Sequence, residues 1–86
     1  MWHVYILECE DGALYTGVTD DLKRRIKEHQ SGVAHYTSYN RPVKILHTEP
    51  FPIKQDAEAR EQQLKGWTRA KKLALAKRDF VLLKKL

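Results

Sequence analysis

The chain is predicted to be a small α/β domain, a three-stranded sheet flanked by helices in the order ββαβαα. Three observations lead there. Two runs rich in β-branched and aromatic residues flank Asp11-Gly12. Helical spacing of apolar residues begins at Asp20 and again at Asp56. Thr68 and Asp79 stand where helix caps belong. At 86 residues there is room for one domain with one modest core.

The elements follow in order. Residues 2–9 and 13–19 form a hairpin. A two-residue loop at Asp11-Gly12 would send Tyr5 and Tyr15 to opposite faces. A three-residue loop, Glu10-Asp11-Gly12, pairs Cys9 with Ala13 and gives Gly12 the left-handed bulge position. It segregates the faces more cleanly, with Val4, Ile6, Leu14, Thr16 and Val18 on one side. His3, Tyr5, Leu7, Tyr15 and Gly17 share the other, and Tyr5 lies opposite Gly17, beside an open slot. Two phenols at such a slot are either a pocket or core tyrosines with satisfied hydroxyls. A helix then runs from about 20 to 30 and stops near Ser31-Gly32. A polar loop follows, with His35, Tyr36, Tyr39 and Arg41. Val43–Thr48 is a third strand, broken by Pro50 and Pro52. Helices are expected over Asp56–Lys65, 69–77 and Asp79–Leu86, with Gly66 breaking the first from the second.

Net charge is +5, with a pI near 9.5, which favours a polyanionic partner. The single cysteine, Cys9, excludes an intramolecular disulfide and a zinc cluster, and it is expected to be a small packed residue. The N-terminus enters strand pattern at once, and no apolar run approaches membrane-spanning length. A cytoplasmic protein without a membrane partner is expected.

Two charged residues fall on apolar stripes. In the first helix the anchors Leu22 and Ile26 lie one turn apart, and Arg25 and His29 fall on or beside the same stripe. Lys23, Arg24 and Lys27 can face water. A half-buried guanidinium needs an anionic partner, and phosphate suits its geometry. His29 can relay a proton or donate to phosphate, or be an exposed histidine at a helix end. In the next helix Glu61 lies on the stripe through Ala57 and Leu64. An inward carboxylate implies a cation, either Arg25 or Arg60 in a salt bridge or a Mg²⁺ ion. The inward polar set is therefore Tyr5, Tyr15, Arg25, His29 and Glu61, the groups that single-metal phosphodiester hydrolysis needs.

Val4-Tyr5-Ile6-Leu7 and Tyr15-Thr16-Gly17, ten residues apart from tyrosine to tyrosine, resemble the two halves of the GIY-YIG signature. Asp20–His29 is similar to that family's first helix. Ala59–Trp67, followed by Arg69-Ala70-Lys71-Lys72, resembles the region bearing its glutamate. The resemblance spans nearly the whole chain and is closest to the small single-domain bacterial proteins. It implies a three-stranded antiparallel sheet and a DNA endonuclease using one divalent metal, Mg²⁺ or Mn²⁺. It implies that Tyr5 and Tyr15 activate or orient water, that Gly17 is the signature glycine at the substrate, that Arg25 binds phosphate, that His29 is a catalytic histidine, and that Glu61 is the metal ligand. Two departures stand out. The first motif lacks its glycine, and Val18 occupies the place where the excision-repair nuclease domain has a lysine. Lys23, His35, Tyr36 and Arg41 are expected to meet the DNA backbone or unpaired bases. The expected activity is weakly specific or structure-tolerant cleavage in repair or recombination. The alternatives are a nucleic-acid-binding module with weak or no activity, or a protein-interaction domain using Trp67, Leu73, Phe80 and Leu83.

Overall fold

In the computed structural model, residues 1–31 and 42–86 are described. The elements are β1 (Trp2–Cys9), β2 (Leu14–Thr19), α1 (Leu22–Ser31), β3 (Pro42–Phe51), α2 (Lys54–Lys65), α3 (Arg69–Ala76) and α4 (Phe80–Lys85). The sheet is antiparallel throughout, in the order β2-β1-β3, so β1 is central. The expected loop His35, Tyr36, Tyr39 and Arg41 lies outside the described residues.

The hairpin takes the three-residue loop. The Cys9 amide donates to the Ala13 carbonyl and the Gly12 amide to the Cys9 carbonyl, each at 2.9 Å. Gly12 has φ +85, a conformation that an L side chain resists. The register follows, with Tyr5 opposite Gly17, Val4 opposite Val18 and Ile6 opposite Thr16. Cys9 is free and buried.

One face of the sheet is the apolar core. Val4 and Ile6 pack with Ala57 and Leu64 of α2 and Leu75 of α3, and Trp2, Leu14, Val18, Phe51, Trp67 and Leu83 close around them. Thr68 caps α3 through the Lys71 amide and Asp79 caps α4 through the Leu82 amide, as expected from sequence. Leu83 is the contact of α4 with the core, while Phe80 is left exposed.

Strand β3 runs on to Phe51, with Pro50 facing His3, rather than breaking at Pro50. As an edge strand it tolerates a missing amide that a central strand would not. Helix α2 correspondingly starts at Lys54, ahead of Asp56. Arg60 does not answer Glu61. It reaches across to Glu49 on β3 at 2.9 and 3.1 Å, and His47 bonds the same carboxylate at 2.7 Å. Burial works to raise the Glu49 pKa, but the bonds from Arg60 and His47 outweigh it and hold the carboxyl below its usual value. This bridge ties α2 to the sheet edge.

Leu64 is fully buried at the centre of the core. Leu64→Ala is expected to cost about 2–5 kcal/mol in urea unfolding, the range for deleting a buried leucine.

Candidate active site

The other face of the sheet carries the phenols, and α1 covers it with polar residues. The expected anchors Leu22 and Ile26 are only partly buried, while His29 is completely buried and Arg25 turns toward the tyrosines. The inward stripe of α1 is thus Arg25 and His29, one turn apart. Leu22 and Ile26 instead line an apolar groove of about 520 Å³ with Lys23, Lys27, Gln30 and Ile45. That groove contains none of the phenol cluster, and Lys23 sits there rather than beside Arg25. Asp21 caps α1 through the Arg24 amide and so sets where the helix begins.

Tyr5 is fully buried, and its hydroxyl lies 3.0 Å from His29 Nε2. The Tyr5, Tyr15 and His29 rings form one cluster, with centroids 6.2 Å apart for the two tyrosines and 4.8 Å for Tyr15 and His29. The slot above Gly17 is filled by Tyr5 itself. A Cβ built on Gly17 would overlap the Tyr5 hydroxyl and come within 3.1 Å of Tyr15 Cε1. Gly17 therefore makes room for the phenol, and its buried backbone offers no open floor for a ligand.

The Arg25 guanidinium is held by the hydroxyls of Tyr5 and Tyr15, and it makes a 3.3 Å bond to Glu28 Oε1. Glu28, one turn along, is the anionic partner that sequence alone did not identify. Arg25 still keeps 33% of its side chain exposed, so an incoming phosphate can reach it. Burial is the main cause that pushes the Tyr5 pKa up to about 12. The bond from Arg25 opposes this, while the charges of Tyr15 and Glu61 add to it. The Tyr5 phenol is therefore protonated at neutral pH. His29 is pushed below its ordinary 6.5, first by burial and then by the Arg25 charge, with Glu28 opposing. A neutral His29 follows. Arginine can only donate, so Tyr5 accepts from Arg25 and its own O–H donates to His29 Nε2, which assigns the ring proton to Nδ1.

Glu61 lies between Ala57 and Leu64 on the buried stripe of α2. Its side chain keeps 13% exposure and pairs with Lys65 Nζ at 3.5 Å, not with Arg25 or Arg60. Its charge is felt at Tyr5, across the two elements. Among the described residues no group of three or more His, Cys, Asp and Glu side chains could hold a metal. A cation at Glu61 would have to complete its shell with water and phosphate oxygens, which suits Mg²⁺. No described helix is long and apolar enough to cross a membrane.

The family model of the GIY-YIG catalytic domain matches residues 1–74. The chain belongs to the GIY-YIG family. Its fold is that of a nuclease family whose domains act on DNA. Among similar GIY-YIG relatives, a UPF0213 protein of Halobacterium salinarum is 49% identical, over 87% of this chain and 99% of its own length. A UPF0213 protein of Staphylococcus saprophyticus is 43% identical, over 85% of this chain and 90% of its own. The solution structure of a UPF0213 protein from Bacillus halodurans superposes with a TM-score of 0.57 at 46% identity, covering 90% of this chain and 84% of that one. Helix α4 lies beyond the residues matched by the GIY-YIG model.

Two expectations follow from this geometry. Gly17→Ala should destabilise the fold by about 1–3 kcal/mol, since its methyl group and the Tyr5 phenol cannot share one space; thermal or urea unfolding measures it. Neutral His29 also makes stability depend on pH. Below about 6.5 the unfolded chain takes up a proton on this ring while the folded chain does not, so stability falls as pH drops. Urea unfolding across this range should show that slope in the wild type and lose most of it in His29→Gln.

Proposed function

We propose that this protein is a metal-dependent DNA endonuclease that hydrolyses a phosphodiester bond with one Mg²⁺ or Mn²⁺ ion. The observation that carries the reading is Arg25: a guanidinium one-third exposed and fixed from behind by two phenols, one of which feels the charge of the Glu61 carboxylate on α2. A guanidinium so held is preorganised for a phosphate, and the contact needs no rearrangement at the moment of reaction.

The roles divide by exposure. Arg25 and the partly exposed Tyr15 can touch substrate, with Arg25 neutralising the phosphate and Tyr15 orienting the attacking water. Tyr5 and His29 are completely buried, so they are positioning residues. Tyr5 accepts from Arg25 and donates to His29, which holds the guanidinium and the phenol in one arrangement. Glu61 is the residue that would hold the metal. Its only partner among the described residues is the half-exposed Lys65, a contact that a divalent ion can displace. When bound, the metal supplies charge stabilisation at the phosphate. Lys23, His35, Tyr36 and Arg41 remain candidates for backbone contact, in keeping with weak sequence preference. We place the activity in DNA repair or recombination and in the cytoplasm.

A second reading is a DNA-binding module that does not cut, and the high pKa of Tyr5 favours it, because a phenol protonated up to about 12 is a poor base. Cleavage assays on nicked, flapped and branched DNA decide between the two. We expect Mg²⁺- or Mn²⁺-dependent nicking that EDTA stops. Arg25→Ala and Glu61→Gln should each lower the rate by at least about 10²–10³, the loss typical of a transition-state donor. Wild-type levels of cutting in either variant, with melting curves unchanged, would sink the assignment.

A further inference from the structure

With Arg25 and His29 turned toward the phenols, the apolar residues of α1 are left outside the core. Leu22 and Ile26, one turn apart, line the groove of about 520 Å³ between this helix and the edge strand, together with Ile45 of β3, which is 46% exposed. The surface of the groove is almost wholly apolar, although Lys23 and Lys27 contribute to its lining. Those two lysines, also one turn apart, are exposed. The acids around α1 are already in use. Asp20 pairs with Arg24 and Glu28 with Arg25, each at 3.3 Å, while Asp21 caps the helix. Among the described residues Lys23 and Lys27 have no acidic partner. The segment that joins α1 to β3 cannot supply one, because the sequence holds no Asp or Glu between Glu28 and Glu49. Glu49 itself is bound by Arg60 and His47. An apolar hollow edged by two uncompensated cations calls for a surface that is apolar and acidic at once.

We propose that this groove docks an amphipathic helix of a protein partner, one whose apolar stripe is flanked by Asp or Glu. Such a helix presents its anchors at intervals of three and four residues. Leu22 with Ile26 and Lys23 with Lys27 repeat at the same one-turn step, so anchors meet the floor where acids meet the rim. Nucleic acid fits less well. A duplex has no apolar face to lay on Leu22, Ile26 and Ile45, and unpaired bases need aromatic platforms that the described lining lacks. At about 100° per residue, Lys23 and Lys27 also stand roughly 160° round α1 from Arg25, away from a phosphate held there. Lys23 on this reading serves the partner and not the DNA backbone. A second copy is disfavoured by the net charge of +5 and by the lysines of its own groove. The groove contains none of the phenol cluster, so the proposal stands whether or not the protein cuts DNA.

A display library of helical peptides tests it, with a leucine stripe fixed and the flanking positions free to be Glu, Lys or Gln. Selection on the wild-type protein should enrich Glu at the flanks, and selection on Lys23→Glu/Lys27→Glu should enrich Lys. In fluorescence anisotropy, Ile26→Asp should weaken the best acidic peptide at least about tenfold, the loss typical of a buried anchor. The charge-reversed variant should weaken it as well, while binding the lysine counterpart better than the wild type does. That exchange requires a folded protein, so it carries the test if Ile26→Asp does not fold. Lys54→Glu, at the start of α2 over Trp2, should leave peptide binding unchanged. No enriched binder, binders without charge preference, or binders indifferent to both groove variants overturn the proposal. So does a dimer in sedimentation that Ile26→Asp dissolves, which gives the groove to a second copy. Loss of nicked-duplex affinity in Lys23→Glu/Lys27→Glu, with peptide binding unaltered, returns the lysines to DNA and overturns it too.

Discussion

The placement of the Tyr5 phenol over Gly17 is the constraint on which the rest of the site depends. A ring can lie flat across the neighbouring strand only where that strand has no side chain, and the register sets Gly17 opposite Tyr5. That register comes from the three-residue loop, which in turn needs Gly12 at positive φ. Once the phenol is laid down and buried, its hydroxyl must be satisfied, and His29 does so. The need for His29 inside turns α1 so that Arg25 follows one turn earlier and meets both phenols. Leu22 and Ile26 are displaced to an open groove as a result.

The two faces of the sheet divide the work. The apolar face holds α2 and α3 through Val4, Ile6, Leu64 and Leu75. The polar face holds a small hydrogen-bonded network under α1. Helix α2 serves both: its packing residues Ala57 and Leu64 flank Glu61, so the contacts that stabilise the core also decide where the carboxylate stands. The Glu49 bridge to Arg60 and His47 fixes the same helix against β3 and keeps Arg60 away from Glu61. Glu61 is left with a half-exposed lysine, a partner weak enough to exchange.

Buried polar residues explain the electrostatics. Burial raises Tyr5 and lowers His29, so both are neutral, and a neutral pair can be enclosed without a counterion. Arg25 is the charged member, and it is the one that remains in reach of solvent. Charge sits where a phosphate can arrive, and neutral groups sit behind it.

Much of this was legible in the residues. The hairpin register followed from face segregation, the caps at Thr68 and Asp79 from local chemistry, and the odd positions of Arg25 and Glu61 from helical spacing, because all of these depend on neighbours within a few residues. The motif halves around Tyr5 and Tyr15 were likewise local. Which charged side chains pair was not, whether within a helix or across elements. That Arg25 would pair with Glu28, that Arg60 would leave α2 for Glu49 on β3, and that Lys65 would take Glu61 are choices among several equally charged candidates, settled by distance in three dimensions. The run of β3 through Pro50 was hidden because a proline is tolerated or not according to whether its strand is an edge, which is a property of the sheet. Sequence alone determined the two faces of the hairpin and which charged residues fall on the apolar stripes of the helices. Only the folded chain decided which of them are sealed and which meet water, since burial depends on what packs against a residue: helix α1 for Tyr5, and the strands that bear the two tyrosines for His29.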